Sequence, residues 1–150
     1  METKKTIQIP FVILLIAIVI ALLVGIVATF MPELLISRSF PLYTNNSWND
    51  FIKGNPLAGN YVLIKERMMG VQVLAASIGG IFILFTAYRK VEKWAWYCIL
   101  LVTVIVFGSA LIEGMTFNNP PVIIISLIGL VLVATGSIIS ARTFLSDNKK

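Results

Sequence analysis

Four long, uncharged apolar runs alternate with short polar segments along this chain of 150 residues. The runs cover about residues 10–31, 68–88, 94–112 and 121–141. Because a helix rises about 1.5 Å per residue, each run is long enough to cross roughly 30 Å of hydrocarbon. The pattern therefore predicts an all-α fold, a polytopic integral membrane four-helix bundle. It forms one domain over residues 1–150, with a structured extracytoplasmic loop at 32–67 between the first two helices.

The segment at 88–97 reads Tyr-Arg-Lys-Val-Glu-Lys-Trp-Ala-Trp-Tyr and separates the second run from the third. Its basic side chains are costly to place in hydrocarbon, whereas tyrosine and tryptophan rings favour the boundary between lipid and water. The segment therefore predicts a turn that fixes one membrane surface.

Basic residues are divided unequally between the two sides of the predicted bundle. The loop at 32–67 holds four of them over a long stretch, Arg38, Lys53, Lys65 and Arg67. The other side holds eight in short segments, namely Lys4, Lys5, Arg89, Lys90, Lys93, Arg142, Lys149 and Lys150. The positive-inside rule then predicts a multi-pass protein of the plasma (cytoplasmic) membrane with both termini in the cytoplasm.

Composition narrows the classes of function. With 58% apolar and 13% charged residues, the chain cannot hide its apolar surface in one small water-soluble core, so membrane lipids are its expected solvent. The net charge of +5 is spread over short segments between the runs, which argues against nucleic acid. A single cysteine and no histidine argue against disulfides, haem, zinc and thiol redox chemistry. No cofactor and no metal site are predicted, and Cys98 is interpreted as a packing residue.

The loop at 32–67 mixes aromatic residues with amides, which is typical of a segment lying on a membrane surface. A short helix is predicted from about Ser47 to Lys53, with Ser47 as its cap and Gly54 and Pro56 ending it. Asn45 begins a triplet of the glycosylation type, and its use is left open. A cleaved signal peptide is the alternative for the first run, which is longer than the apolar region of such peptides.

Small residues recur at spacings of three or four within the runs, which lets neighbouring helices approach closely. The residues assigned to helix packing are Ala17, Ala21, Gly25, Ala76, Gly80, Gly129 and Gly136, and the adjoining pair Ala75 and Gly79 is expected to be buried as well. All prolines lie at the ends of the runs or in the first loop, so largely unkinked helices are predicted. This argues against the broken helices of many transporters.

One candidate site follows from the depth at which charged residues of the second and third helices are expected in the membrane. Counted from the turn at 88–97, Arg67 and Glu113 reach similar heights near the opposite surface, where a cation can pair with a carboxylate. The hypothesis is an outward-facing pocket for a lipid headgroup or small polar ligand, built from Lys65, Glu66, Arg67 and Glu113 and covered by Trp48. The alternative is that these charges simply extend to water from the helix ends. No charged residue lies near the middle of a run, which argues against a proton-coupled exporter.

Arg67, Gly70 and the turn at 88–97 together resemble a pattern among uncharacterised small four-helix membrane proteins of prokaryotes, loosely DoxX-like. The resemblance implies a four-helix bundle and brings no catalytic residues. Glu66-Arg67 is also similar to the Glu-Arg motif of membrane glutathione-transferase-like proteins, although the later Arg and Asn of that motif are missing. Small multidrug exporters need a carboxylate in the first helix, and quinone-linked thiol oxidoreductases need paired cysteines; this sequence has neither feature.

Three functions are therefore expected in order of preference. The first is a non-enzymatic accessory or scaffold subunit, whose partners are other membrane subunits or a second copy of the chain. The second is a lipid or small-hydrophobe binding protein that uses the outward-facing pocket. The third is a membrane-embedded transferase.

Overall fold

The computed structural model describes residues 2–145, with side chains from Ile7 onward. The structure is 91% helical, and the described residues contain no β-strand. Six α-helices and one π-helical turn follow one another along the chain: α1 (Glu2–Phe30), α2 (Pro32–Thr44), α3 (Trp48–Gly54), α4 (Pro56–Ile83), the π turn (Leu84–Tyr88), α5 (Lys93–Thr116) and α6 (Pro120–Leu145).

The predicted all-α fold with four helices long and apolar enough to cross a membrane is confirmed. The four candidate spans are Ile7–Phe30, Pro56–Tyr88, Lys93–Thr116 and Pro120–Leu145. Two helices begin earlier than the apolar runs indicated. Helix α1 continues through Pro10, which removes only one backbone hydrogen bond, and α4 begins at Pro56, whose fixed φ suits the first turn of a helix.

Helix α1 packs against α4 on one side and α6 on the other, and α5 packs against α6. The helices meet where one of them carries a small residue: a Cβ added at Gly25 of α1 would lie 2.8 Å from the backbone nitrogen of Leu74 in α4. A Cβ at Gly136 of α6 would lie 2.8 Å from Cγ of Leu14 in α1. Helices α4 and α5 follow each other in the chain but make few contacts, so the bundle is open along one side.

Two groups of buried apolar residues form the core. The larger surrounds Tyr88 and Phe144, whose ring centroids lie 4.6 Å apart, and extends through Leu14, Leu84 and Ile99. The smaller lies farther along the bundle and consists of Ala17, Ala21, Phe107 and Val133. Each group draws residues from α1, α5 and α6, so these three helices carry the continuous part of the core.

A tight turn at residues 89–92 follows the π turn and joins α4 to α5. Backbone hydrogen bonds from Val91 to Tyr88 and from Glu92 to Ala87 close it, at 3.0 and 3.1 Å. Val91 has φ 61°, a left-handed conformation that is strained for a β-branched residue. We call this end of the bundle the turn end.

The Arg89 guanidinium in this turn lies 4.8 Å from the ring centroid of Phe11 and 5.0 Å from that of Phe85. The two rings meet edge to face at 5.1 Å. This cation–π contact holds the first part of α1 against the end of the π turn.

Helices α2 and α3 cover the opposite end of the bundle, within the stretch predicted as a loop at 32–67. The Ser47 hydroxyl accepts a hydrogen bond from the Asp50 amide and caps α3, as the sequence predicted. Trp48 is buried against Phe40 and Phe51, with ring centroids 5.2 and 5.8 Å away. The side-chain amide of Asn119, just before α6, donates a hydrogen bond to the Tyr43 hydroxyl of α2 at 3.2 Å.

Candidate functional site

The open side of the bundle contains a cavity of about 220 Å³ between α4 and α5, with α1 at its back. Helix α1 contributes Ile18 and Ala21 to its wall. Helix α4 presents small side chains there, which is why space is left between the helices. The remaining lining residues are Ala76, Ser77, Gly79, Gly80 and Ile83 of α4, and Cys98, Ile99, Val102, Thr103, Val106 and Phe107 of α5.

The polar groups of the cavity wall are already bonded to their own helices. The Ser77 hydroxyl donates to the Val73 carbonyl at 2.8 Å, and the Thr103 hydroxyl donates to the Ile99 carbonyl. Cys98 is half-buried and has a free thiol. Since these hydroxyls need no further partner, the cavity suits an apolar occupant rather than a polar one.

Two carboxylates lie above the cavity, toward the end covered by α2. Glu66 of α4 and Glu113 of α5 are both half-buried and close enough to interact electrostatically. Within the part of the chain that the structure describes, neither carboxylate has a hydrogen-bond or ion-pair partner. Two like charges withdrawn from water repel each other more strongly than they would in solution.

The other residues of the predicted polar pocket lie elsewhere. Lys65 and Arg67 are exposed, and across residues 7–145 neither forms an ion pair with Glu113. The ring contacts of Trp48 are with Phe40 and Phe51, in the group that joins α2 to α3. The structure thus brings Glu66 and Glu113 together and leaves Lys65 and Arg67 outside their pair.

The residues assigned to helix packing lie at or near helix contacts. Ala17 and Ala21 are buried in the smaller core group, and Gly25 approaches Leu74. Across α6, Gly129 faces the Phe107 ring and Gly136 faces Leu14. Ala76 and Gly80 are half-buried on the wall of the cavity, where a Cβ at Gly80 would lie 3.2 Å from Cδ1 of Ile18.

Ala75 and Gly79 differ from the sequence expectation. Both are exposed, and a Cβ added at Gly79 would meet no atom within 4 Å. The pair lies on the edge of α4 that borders the opening of the cavity, one helical step from the half-buried pair Ala76 and Gly80. The prediction that Ala75 and Gly79 are buried is wrong for a single chain, because α5 does not cover this face of α4.

A polar cluster at the turn end links α5 to α6. The Trp96 indole N–H lies 3.1 Å from the Ser140 hydroxyl and 3.2 Å from the Ser137 carbonyl and donates to both. The Tyr88 hydroxyl is buried beside Ser140. No motif in the sequence marks this cluster, because its members are separated by more than 40 residues.

These features define an all-helical protein with four helices of membrane-spanning length and an apolar cavity that opens between two of them. The described residues contain no group of three or more histidine, cysteine, aspartate or glutamate side chains that can hold a metal. Comparison with protein-family models, curated proteins and solved structures gave no match to this chain.

Proposed function

We propose that this protein is a membrane-embedded binding protein for a small hydrophobic molecule, which occupies the cavity between α4 and α5. The single observation that carries the proposal is the cavity itself, about 220 Å³ in volume and lined almost entirely by apolar side chains. It lies between two helices that make few contacts with each other, so a molecule dissolved in lipid can enter sideways. The volume is below the roughly 300 Å³ typical of sites for drug-sized ligands, which favours a single chain or a small ring.

The proposal includes an orientation. With the turn at 89–92 and both termini on the cytoplasmic side of the plasma membrane, most basic residues lie in cytoplasmic segments. Helices α2 and α3 then form the structured extracytoplasmic segment, and membrane lipids surround the exposed faces of the four long helices. The cavity is within the hydrocarbon layer in this arrangement, about 7 to 20 Å from the turn by the helical rise.

Cys98 provides a direct test, since it lines the cavity and is the single cysteine of the chain. The purified protein in phosphatidylcholine nanodiscs is treated with N-ethylmaleimide, and alkylation is followed by intact mass as the membrane content of decanol is raised. If decanol enters the cavity, the alkylation rate of Cys98 falls severalfold.

The matched control is an Ile138→Cys variant made in a Cys98→Ser background. Ile138 is exposed on α6, and the pairing of Trp96 with Ser140 places it at nearly the same depth as Cys98. Decanol is expected to leave the rate at this position unchanged. Equal slowing at both positions would show a general effect on the bilayer and would contradict the proposal.

A specific observation favours a second candidate, an accessory or scaffold subunit of a larger membrane assembly. The uncovered pair Ala75 and Gly79 has the four-residue spacing at which another transmembrane helix can approach closely. The test is purification in a mild detergent of Gly79→Leu, with Gly108→Leu as control because Gly108 also has open space around it. A stoichiometric partner or second copy lost only from Gly79→Leu would support this candidate, and a monomer in every sample would refute it.

A further inference from the structure

One face of α4 stays uncovered along much of the helix. Its residues follow one another at intervals of four and three, which keep positions on one side of a helix. They are Met68, Gln72, Ala75, Gly79 and Phe82, and all five are exposed. We call this face the α4 seam. It extends about 21 Å by the helical rise, roughly two thirds of the thickness of a hydrocarbon layer.

The α4 seam carries a polar side chain that lacks a partner. Gln72 lies about 24 Å from Tyr88 and about 7 Å from Arg67 by the helical rise, so in the proposed membrane arrangement it is within the hydrocarbon layer. Its side-chain amide makes no hydrogen bond with any residue that the structure describes. An amide without a hydrogen-bond partner is unfavourable in hydrocarbon, and glutamine lacks the long charged side chain with which lysine and arginine reach water. A neighbouring helix that supplies both a donor and an acceptor removes this penalty.

We propose that this neighbouring helix is α4 of a second copy of the chain, and that two copies associate through their α4 seams about a twofold axis along the membrane normal. The inference rests on the second candidate function and names its partner; it does not depend on what occupies the cavity. Two copies inserted in the same direction place Gln72 opposite Gln72 at the same depth. Each amide N–H then donates to the carbonyl oxygen of the other amide, so one pair of hydrogen bonds provides a partner for both side chains.

The residues of the α4 seam favour a parallel pair of identical helices over other partners. Alternating intervals of four and three are those of a heptad repeat, in which a single polar residue at a core position fixes the register of two parallel helices. A Cβ added at Gly79 meets no atom within 4 Å, so together with Ala75 it lets a second backbone come close. The seam carries no charged side chain, so two identical seams meet without repulsion. A different protein needs its own donor and acceptor at the depth of Gln72, whereas a second copy supplies them by symmetry.

Disulfide crosslinking locates the interface residue by residue. In a Cys98→Ser background, single cysteines replace Ala75 or Gly79 on the seam, and the exposed neighbours Val71 or Ile78 as matched controls. The full chain is oxidised with copper phenanthroline in phosphatidylcholine liposomes at low protein content. Because a disulfide requires Cα atoms within about 7 Å, the two seam cysteines are expected to form covalent dimers about tenfold faster than the two control cysteines.

A second measurement isolates the contribution of the amide. Association is followed by Förster transfer between copies labelled at their N termini as the lipid content of the liposomes is raised. Gln72→Leu is expected to weaken association about tenfold, the effect of losing two hydrogen bonds between helices. Gln72→Asn keeps an amide at this position and is expected to retain part of the lost association. Gln8→Leu serves as the control, because Gln8 is an exposed glutamine of α1 outside the seam, and it is expected to leave association unchanged.

The outcomes separate this inference from the proposed functions. Equal crosslinking at all four positions would show random collision and would overturn the inference, as would association that Gln72→Leu leaves unchanged. A stoichiometric partner of another sequence that is lost from Gly79→Leu, with no crosslinking between copies, would also overturn it and leave the second candidate function standing. Monomers at every lipid content, without crosslinks or another partner, would refute both. Binding of a hydrophobic molecule in the cavity is decided independently by the alkylation of Cys98.

Discussion

Substituting alanine for Gly70 tests the contact between α1 and α4 most directly. Gly70 is buried where the two helices cross, and a Cβ there would lie 2.5 Å from the Thr29 nitrogen and 2.7 Å from the Ala28 carbonyl carbon. Carbon atoms in contact are normally about 3.5 to 4.0 Å apart, so the helices must separate by about 1 Å. Both obstructing atoms belong to the backbone and cannot move aside by a change of rotamer.

The expected loss of stability in Gly70→Ala follows from two opposing effects. Overpacking costs about 1 to 3 kcal/mol, and the rigid backbone places this site at the upper end. Alanine improves helix propensity over glycine by about 1 kcal/mol, which leaves a net loss of about 2 kcal/mol. The same substitution at Gly79, on the same helix, meets no atom within 4 Å and is expected to be neutral or stabilising by up to about 1 kcal/mol.

The assay is reversible unfolding of the full chain in mixed micelles of dodecyl maltoside and sodium dodecyl sulfate, followed by circular dichroism. Gly70→Ala should unfold at a lower mole fraction of dodecyl sulfate than the unmodified protein, and Gly79→Ala at an equal or higher one. The close crossing of α1 and α4 at Gly70 would be refuted if the two variants unfolded together.

Three further predictions use the same titration. Because glycine adopts the left-handed conformation of residue 91 freely, Val91→Gly is expected to be more stable than Val91→Ala by about 1 kcal/mol; equal stability would contradict the strain. Trp96→Phe removes the donor to Ser140 and should cost about 1 kcal/mol, and an unchanged midpoint would show that the bond contributes nothing. Gly129→Ala places a Cβ 2.3 Å from the Phe107 ring and should lower the free energy of unfolding by about 1 to 3 kcal/mol. A second substitution, Phe107→Leu, should recover part of that loss, and strictly additive effects of the two substitutions would argue against the contact.

The four long helices could be predicted because their signal is local. An uncharged run of about 20 residues has few alternatives to a membrane-spanning helix. The third and fourth apolar runs begin within a few residues of the first residues of α5 and α6. The cap at Ser47 was also predictable, since a cap involves only neighbouring residues.

The helical content of residues 32–67 could not be predicted in full, since it depends on contacts between segments. Pro32 and Pro56 read as ends of spans, yet each begins a helix. Helix α3 is held on α4 where a Cβ at Gly59 would lie 2.6 Å from Cγ1 of Ile52. The sequence pattern of neither segment predicts this contact between α3 and α4.

The predicted pairing of Arg67 with Glu113 is absent among the described residues, and the reason lies in helix geometry. Counting residues places Arg67 and Glu113 at one level, but successive residues on a helix point about 100° apart. Glu66 rather than Arg67 therefore shares a side with Glu113. The cavity depends on the spacing between α4 and α5, which no single helix encodes. The small residues of α4 predicted a close helix contact, whereas Ala76, Gly79 and Gly80 line the cavity.

The partners of α1 have a consequence for biosynthesis. Its buried residues Ala17 and Ala21 share the smaller core group with Phe107 of α5 and Val133 of α6, and both of these helices are translated about a hundred codons later. The nascent chain must therefore keep those residues shielded in the translocation machinery or among lipids while the intervening segments emerge. Ribosome-stalled chains that end before Pro120 should be better substrates for membrane quality-control proteases than chains that include α6.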